Sequence, residues 1–219
     1  MRTIILSCHD SDKLKNYPVV AWAWNQLGWN THLFYLGRDS VLIDEFKKIR
    51  QYFDTTRNVI HRLPQMEGYE NDIILQASKL FGGFCYWDDR ILMTADIDII
   101  PLKDSWPHFR EGRMVTADKA ISRYLGMQSG LWRMKMETND NTNLDQELKL
   151  FLDSDTELRD DNPVNRTICL NKIIIDRFIP KGMQLEDVKE PNHIKADKFN
   201  NLEIQDILFT HYNTLPGWM

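Results

Sequence analysis

The pattern of apolar and polar positions alternates between two periods. Arg2-Thr3-Ile4-Ile5-Leu6-Ser7-Cys8 is an apolar run that predicts a first strand, followed by the polar loop His9-Asp10-Ser11-Asp12-Lys13. From Tyr17 to Leu27, the residues Val19, Val20, Ala23, Trp24 and Leu27 recur at helical spacing, and Gly28 predicts the stop. Thr31 to Leu36 predicts a second strand. Ser40 is placed to cap a helix from Val41 to about Tyr52, with Ile43, Phe46 and Ile49 apolar. Asn58 to Leu63 reads as a third strand before Pro64. Asn71 to Phe81 reads as an amphipathic helix closed by Gly82-Gly83, and Ile91 to Ala95 as a buried strand.

Strands alternating with helices at this pace predict an α/β fold, a mainly parallel sheet with helices on both faces. Ligands of such sheets bind beyond the carboxyl ends of the strands, near a switch in strand order. The loop after Ser7 and the Asp96-Ile97-Asp98 segment both fall at such ends, so one crevice would hold both. The second half is less regular. Arg113 to Ala117 and Gly126 to Met134 predict strands, Asn143 to Leu152 a helix, and Asp160-Asp161-Asn162-Pro163 the cap of a helix ending near Ile175. Pro180, Gly182, Pro191 and the charges from Glu186 to Lys198 predict long loops, and Ile204 to Phe209 a last strand. No internal repeat or linker divides the chain, so the expectation is a single domain over 1–219.

The candidate chemistry follows the strand at Ile91. If that strand continues, alternate residues share a face, so Asp96 and Asp98 project one way and Ile97 the other. Two carboxylates on one buried face repel unless a cation or strong donors compensate. A hard divalent cation, with phosphate oxygens completing its shell, is the natural compensator. The alternative is a pair of turn or capping acids in a solvated loop, and these residues by themselves leave both readings open.

Composition narrows the partners. A net charge of -5 leaves no basic footprint, so nucleic acid is not the expected partner. No apolar segment approaches the roughly 20 residues of a membrane span. Ile4-Ile5-Leu6 is too short for a signal-peptide core, which together with the absent span makes the cytoplasm the expected compartment. Cys8, Cys85 and Cys169 are scattered without metal-ligand spacing and read as buried thiols in a reducing compartment.

Taken together, these features resemble the GT-A fold nucleotide-sugar glycosyltransferases, in particular the glycogenin-like, galactosyltransferase-type branch. Four stretches carry the resemblance in order. Asn16-Tyr17 follows the first strand, where the family places an aromatic on the nucleotide base. Ser78-Lys79-Leu80 stands where it carries a basic residue for phosphate or sugar. Ser129-Gly130, then Asp145-Gln146, resemble its Ser-Gly strand and Asp-Gln helix start. His211, Pro216 and Trp218 resemble its C-terminal signature, whose His joins the two Asp residues on the metal. The resemblance implies a nucleotide-binding half over 1–100 and an acceptor-side half over 101–219. Two departures stand out. Leu215 precedes Pro216 where the family has a Lys reaching the pyrophosphate, so Lys79, Lys103 or Arg123 is left to supply charge. Thr94-Ala95 also differs from the family's usual lead into the first Asp.

The implied reaction is metal-dependent transfer of a sugar from a nucleoside diphosphate sugar, with UDP-sugar expected, to a carbohydrate or other hydroxyl acceptor, with retention of configuration. Asp96, Asp98 and His211 are the expected ligands of Mn²⁺ (or Mg²⁺), the His tilting the choice to Mn²⁺. Ser7, His9, Tyr17, Lys79, Asp96, Ile97, Ser129 and Gly130 form the expected nucleotide and sugar side. Asp145, with Gln146 beside it, is the expected carboxylate near the sugar or base on the acceptor. Asp145 reads equally as a helix N-terminal acid, and Tyr17 equally as helix-start packing. Two other classes are carried: a nucleotide-sugar-binding module without turnover, and a sugar nucleotidyltransferase. The second generally needs a Gly-rich basic loop after the first strand, and His9 to Lys13 contains no Gly.

Overall fold

The computed structural model describes residues 2–9, 13–38, 56–85, 91–102, 113–117, 125–127, 144–153, 156–159, 162, 165–166, 169, 172, 184–188 and 193–195. Strands β1 (Arg2–His9), β2 (Asn30–Leu36), β3 (Asn58–Arg62) and β4 (Ile91–Thr94) run parallel, β2 and β4 flanking β1. A second strand set, β6 (Arg113–Ala117), β7 (Leu125–Met127) and β8 (Gln184–Val188), completes a seven-stranded sheet in the order β3-β2-β1-β4-β7-β6-β8. β7 is antiparallel to both neighbours, while β6 and β8 are parallel. A separate antiparallel pair joins β5 (Ile99–Pro101) to β9 (His193–Lys195). The α/β expectation holds.

The alternation of strand side chains divides the core. Ile4, Leu6 and Cys8 of β1, Leu33 and Tyr35 of β2, and Met93 of β4 form one buried cluster with Tyr17, Val20, Ala21 and Trp24 of α1 (Tyr17–Gln26). The intervening Ile5, Phe34 and Thr94 are equally buried and turn to the opposite face, where α2 (Asn71–Cys85) packs across β1, β2 and β4. Helix α3 (Leu144–Asp153) lies against α2, with Leu148, Phe151 and Leu152 buried.

Helix α1 ends as its sequence predicts. Gly28 takes φ +80°, its N–H bonds to Asn25 O at 3.0 Å, and the Trp29 N–H reaches back to Trp24 O at 3.0 Å. This pair of bonds satisfies two end carbonyls in a Schellman motif. The accompanying apolar contact is an edge-to-face pair of Trp24 and Trp29, both buried, with ring centroids 5.8 Å apart. A Cβ at Gly28 would meet nothing within 4 Å, so the cost of replacing it is conformational. Gly28→Ala is expected to lower stability by about 1–2 kcal/mol, read as a lowered urea midpoint with an unchanged slope.

Beside this cap lies a closed polar network. The Tyr17 hydroxyl meets Thr31 Oγ1 at 2.9 Å, Thr31 donates to Asn58 Oδ1 at 2.7 Å, and Asn25 and Asn58 exchange amide bonds at 3.0 and 2.8 Å. Asn25 also donates to Trp29 O at 2.9 Å. Each buried group here has a partner, so the network fixes α1 against β2 and β3 at little desolvation cost.

Three expectations are corrected. The helix beginning at Asn71 does not stop before Gly82-Gly83 but runs through them to Cys85. Its packing on three strands outweighs the roughly 1 kcal/mol that each Gly costs. The stretch from Glu186 to Lys198 is not all loop, because it contains the end of β8 and all of β9. Pairing with β6 and β5 overrides the weak strand propensity of these charged residues. The strand at Ile91 ends at Thr94, and Asp96 and Asp98 lie in a turn. The helix over 41–52, the strand over 204–209 and residues 128–134 lie outside the described residues. Cys8 and Cys169 are buried free thiols.

Candidate functional site

The site begins with the strand order. From β1 the chain moves outward to β2 and β3, then returns across β1 to pair β4 on its other side. The order therefore reverses between β1 and β4, and their carboxyl ends open a crevice. Ala95 N–H still bonds to Ile5 O at 3.0 Å, continuing the ladder one residue beyond β4. Then Ile99 N–H bonds to Asp96 O at 3.1 Å and closes a tight turn over Asp96-Ile97-Asp98. Asp suits such a turn, whereas a continued strand would carry two carboxylates into the core.

The turn sends the two carboxylates to different partners. Asp96, about one-third exposed, accepts a hydrogen bond at 3.0 Å from Nζ of Lys79, a buried lysine of α2. Helical side chains slant toward the helix N-terminus, which lets a lysine two turns into α2 reach the strand ends. Asp98 is only 4% exposed. Its Oδ2 stands 3.6 Å from Nζ of Lys13, which precedes the short 3-10 turn Leu14–Asn16 leading into α1. Its Oδ1 is buried without a hydrogen-bond partner. A buried carboxylate oxygen left open costs about 1–3 kcal/mol or more, so it marks a place where a donor or cation belongs. The expectation that both carboxylates share one strand face is thus corrected: one faces the α2 side and the other the α1 side.

Other expected site residues are placed as follows. Ser7 lies on β1 near its carboxyl end, and His9 ends that strand with Nε2 3.8 Å from Asp72 Oδ1, both side chains well exposed. Ile97 is buried in the α1-side core, so only its main chain faces the crevice. Tyr17 requires a correction. It is 1% exposed, with burial pushing its hydroxyl pKa well above the ordinary value and that hydroxyl tied to Thr31. Its ring faces have no room for a base, and packing at the helix start is the role it has. Tyr17→Phe is expected to cost about 1 kcal/mol of stability, seen by denaturant titration, and to leave nucleotide affinity unchanged. Asp145 and Gln146 lie in the first turn of α3, with Gln146 exposed, on a helix that packs against α2. Ser129, Gly130 and His211 lie outside the described residues, and among the described residues no three metal-ligating side chains cluster.

Lys13 is not among the residues the sequence marks for the site. The resemblance leaves charge for the phosphates to Lys79, Lys103 or Arg123, whereas the structure sets Lys13, from the loop after β1, against Asp98. The same edge holds a recess of about 250 Å³ beyond β2 and β3, lined by Gly37, Arg62, Leu63, Pro64 and Gln65.

No family model matches the chain, and no curated protein matches it in sequence. Solved structures do. The glycosyltransferase GlyE of Streptococcus pneumoniae TIGR4 superposes with a TM-score of 0.50 at 12% identity, over 99% of this chain and 52% of that one. Its apo form gives a TM-score of 0.51 at 10% identity, over 95% and 63%. The fold is that of the GT-A glycosyltransferases. The chain spans between half and two-thirds of the length of these GlyE chains. The galactosyltransferase LgtC, solved with donor and acceptor sugar analogs, aligns over 98% of both chains at 11% identity with a TM-score of 0.47. No described helix is long and apolar enough to cross a membrane.

Proposed function

We propose that the chain is a metal-dependent glycosyltransferase, taking a sugar from a nucleoside diphosphate sugar, with UDP-sugar as donor, and passing it with retention to a hydroxyl of a carbohydrate acceptor. The observation that carries this reading is Asp98: a buried carboxylate with one unpartnered oxygen, two residues from Asp96, at the strand-order switch of a GT-A fold. The donor set fits a hard divalent cation, since both side chains offer carboxylate oxygens and one of those oxygens lacks any donor. Asp96 and Asp98 would hold Mn²⁺ or Mg²⁺, with His211 proposed as the third protein ligand. Bound there, the cation supplies Lewis-acid stabilisation of the charge that gathers on the departing diphosphate.

The chain's own residues set up that chemistry. Lys79 fixes the rotamer of Asp96 from the α2 side and is itself held in the core. The bond between Ile99 N–H and Asp96 O fixes the main chain of the turn, so the carboxylates need little reorganisation when ligand arrives. The test is release of nucleoside diphosphate from a panel of UDP- and GDP-sugars, with Mn²⁺ or with EDTA. Turnover of one UDP-sugar that requires the metal supports the proposal. Binding without any turnover points to a module that recognises nucleotide-sugars, and neither binding nor turnover contradicts both.

A further inference from the structure

We infer that Lys13 is a place-holding cation, which occupies Asp98 while no metal is bound and yields to the metal only when a diphosphate arrives to receive its ammonium. The inference rests on the metal-dependent reading above. Three observations carry it. Lys13 Nζ lies 3.6 Å from Asp98 Oδ2, with the lysine side chain 56% exposed and the carboxylate 6% exposed. A half-exposed lysine can therefore leave, but the buried aspartate cannot. Lys13 also leaves Oδ1 of the same carboxylate without a partner, so its ammonium covers only half of what Asp98 offers. Third, each carboxylate of the turn faces its own lysine, Asp96 facing Lys79 and Asp98 facing Lys13.

That pairing decides the order of events. A divalent cation entering alone would meet two lysines, and the more exposed, Lys13, must be displaced from Asp98 into water. A metal arriving with a diphosphate brings its own negative charge. The freed ammonium can then pair with a phosphate oxygen, a charge-assisted contact in a partly desolvated crevice. Lys13 thus opposes the bare metal and favours the metal-diphosphate pair, which makes the two ligands bind cooperatively. It also supplies the phosphate-facing charge that Leu215, standing where a lysine is expected, does not. Lys79 cannot take this part, because its side chain is 4% exposed and already engaged by Asp96.

The test is a titration of the full 219-residue chain with Mn²⁺, followed by loss of the free-ion EPR signal, in the absence and presence of UDP. The variants are Lys13→Met, Lys13→Arg and Asp98→Asn. Lys13→Met is expected to bind Mn²⁺ alone roughly fivefold more tightly than wild type, and UDP in saturating Mn²⁺ roughly fivefold more weakly. Lys13→Arg should keep the wild-type coupling. A purely structural lysine would not move the two affinities in opposite directions. If Asp98→Asn abolishes Mn²⁺ binding while Lys13→Met leaves the affinity for Mn²⁺ alone unchanged or weakened, the metal site stands and the role of Lys13 is overturned. If no variant nor wild type takes up Mn²⁺, with or without UDP, the metal-dependent reading falls and this inference with it.

Discussion

Asp98→Asn is expected to leave the chain folded and to reduce sugar transfer by about 100- to 1,000-fold, the range seen when one preorganised group for developing charge is removed. The substitution keeps the shape of the side chain and takes away its charge. Asp98 is buried at the end of a closed turn, so no neighbouring water can take over what its carboxylate provides. The loss should appear in kcat and in Mn²⁺ affinity together, because the same oxygen serves both. Glu67→Gln, an exposed acid outside the turn, is the control and should change neither. Comparable loss in that control, or unaltered turnover in Asp98→Asn, would mean that the orphaned oxygen has another cause.

Acidification should destabilise the fold through a histidine pair on the opposite face of the sheet. His32 Nδ1 and His61 Nε2 lie 3.1 Å apart, their rings stacked at 5.4 Å, with Phe34 stacked on His61 at 4.9 Å. One proton is shared across this contact, so charging both rings breaks the hydrogen bond and opposes like charges. Burial, with His61 beside it, pushes the His32 pKa down from 6.5 to about 4, and burial also lowers that of His61. The unfolded chain therefore binds protons that the native state refuses. Stability from this source is complete above pH 6.5 and is lost as pH falls toward 4. For His32 alone the loss is about 3 kcal/mol, from roughly 1.4 kcal/mol per pKa unit. Urea midpoints at pH 7 and pH 4.5 measure it, and the drop should shrink when His32 and His61 are both replaced by Phe. An equal drop in the double variant would place the acid sensitivity elsewhere.

What the sequence made legible was local. The stop at Gly28 could be read because a Schellman cap needs only a glycine in the left-handed region and apolar residues on either side. The strands β1, β2 and β4 could be read because strands covered on both faces are rich in apolar residues. Where partners distant in sequence decide the outcome, the reading failed. Gln184–Val188 and His193–Lys195 become strands because β6 and β5 pair with them, which no five-residue window of charged side chains announces. Asp96 and Asp98 were singled out correctly as polar groups at a strand end. Their divergence follows from one turn hydrogen bond and from lysines 17 and 85 positions away from the nearer and farther carboxylate respectively. Tyr17 illustrates the converse. An aromatic after the first strand suits a nucleotide base, but Thr31 and Asn58, brought alongside by β2 and β3, give its hydroxyl a buried partner and close the ring into the core.

The central claim is that Asp98 belongs to a metal-diphosphate site, and thermal unfolding with UDP, with and without Mn²⁺, tests it most directly. A ligand at about a hundred times its Kd stabilises the native state by about 2.7 kcal/mol. In a chain of this size that raises the midpoint by roughly 5–10 °C. The account predicts a shift with UDP that needs Mn²⁺ and disappears in Asp98→Ala. A shift that is indifferent to both the metal and Asp98, or no shift with any nucleotide, would contradict it.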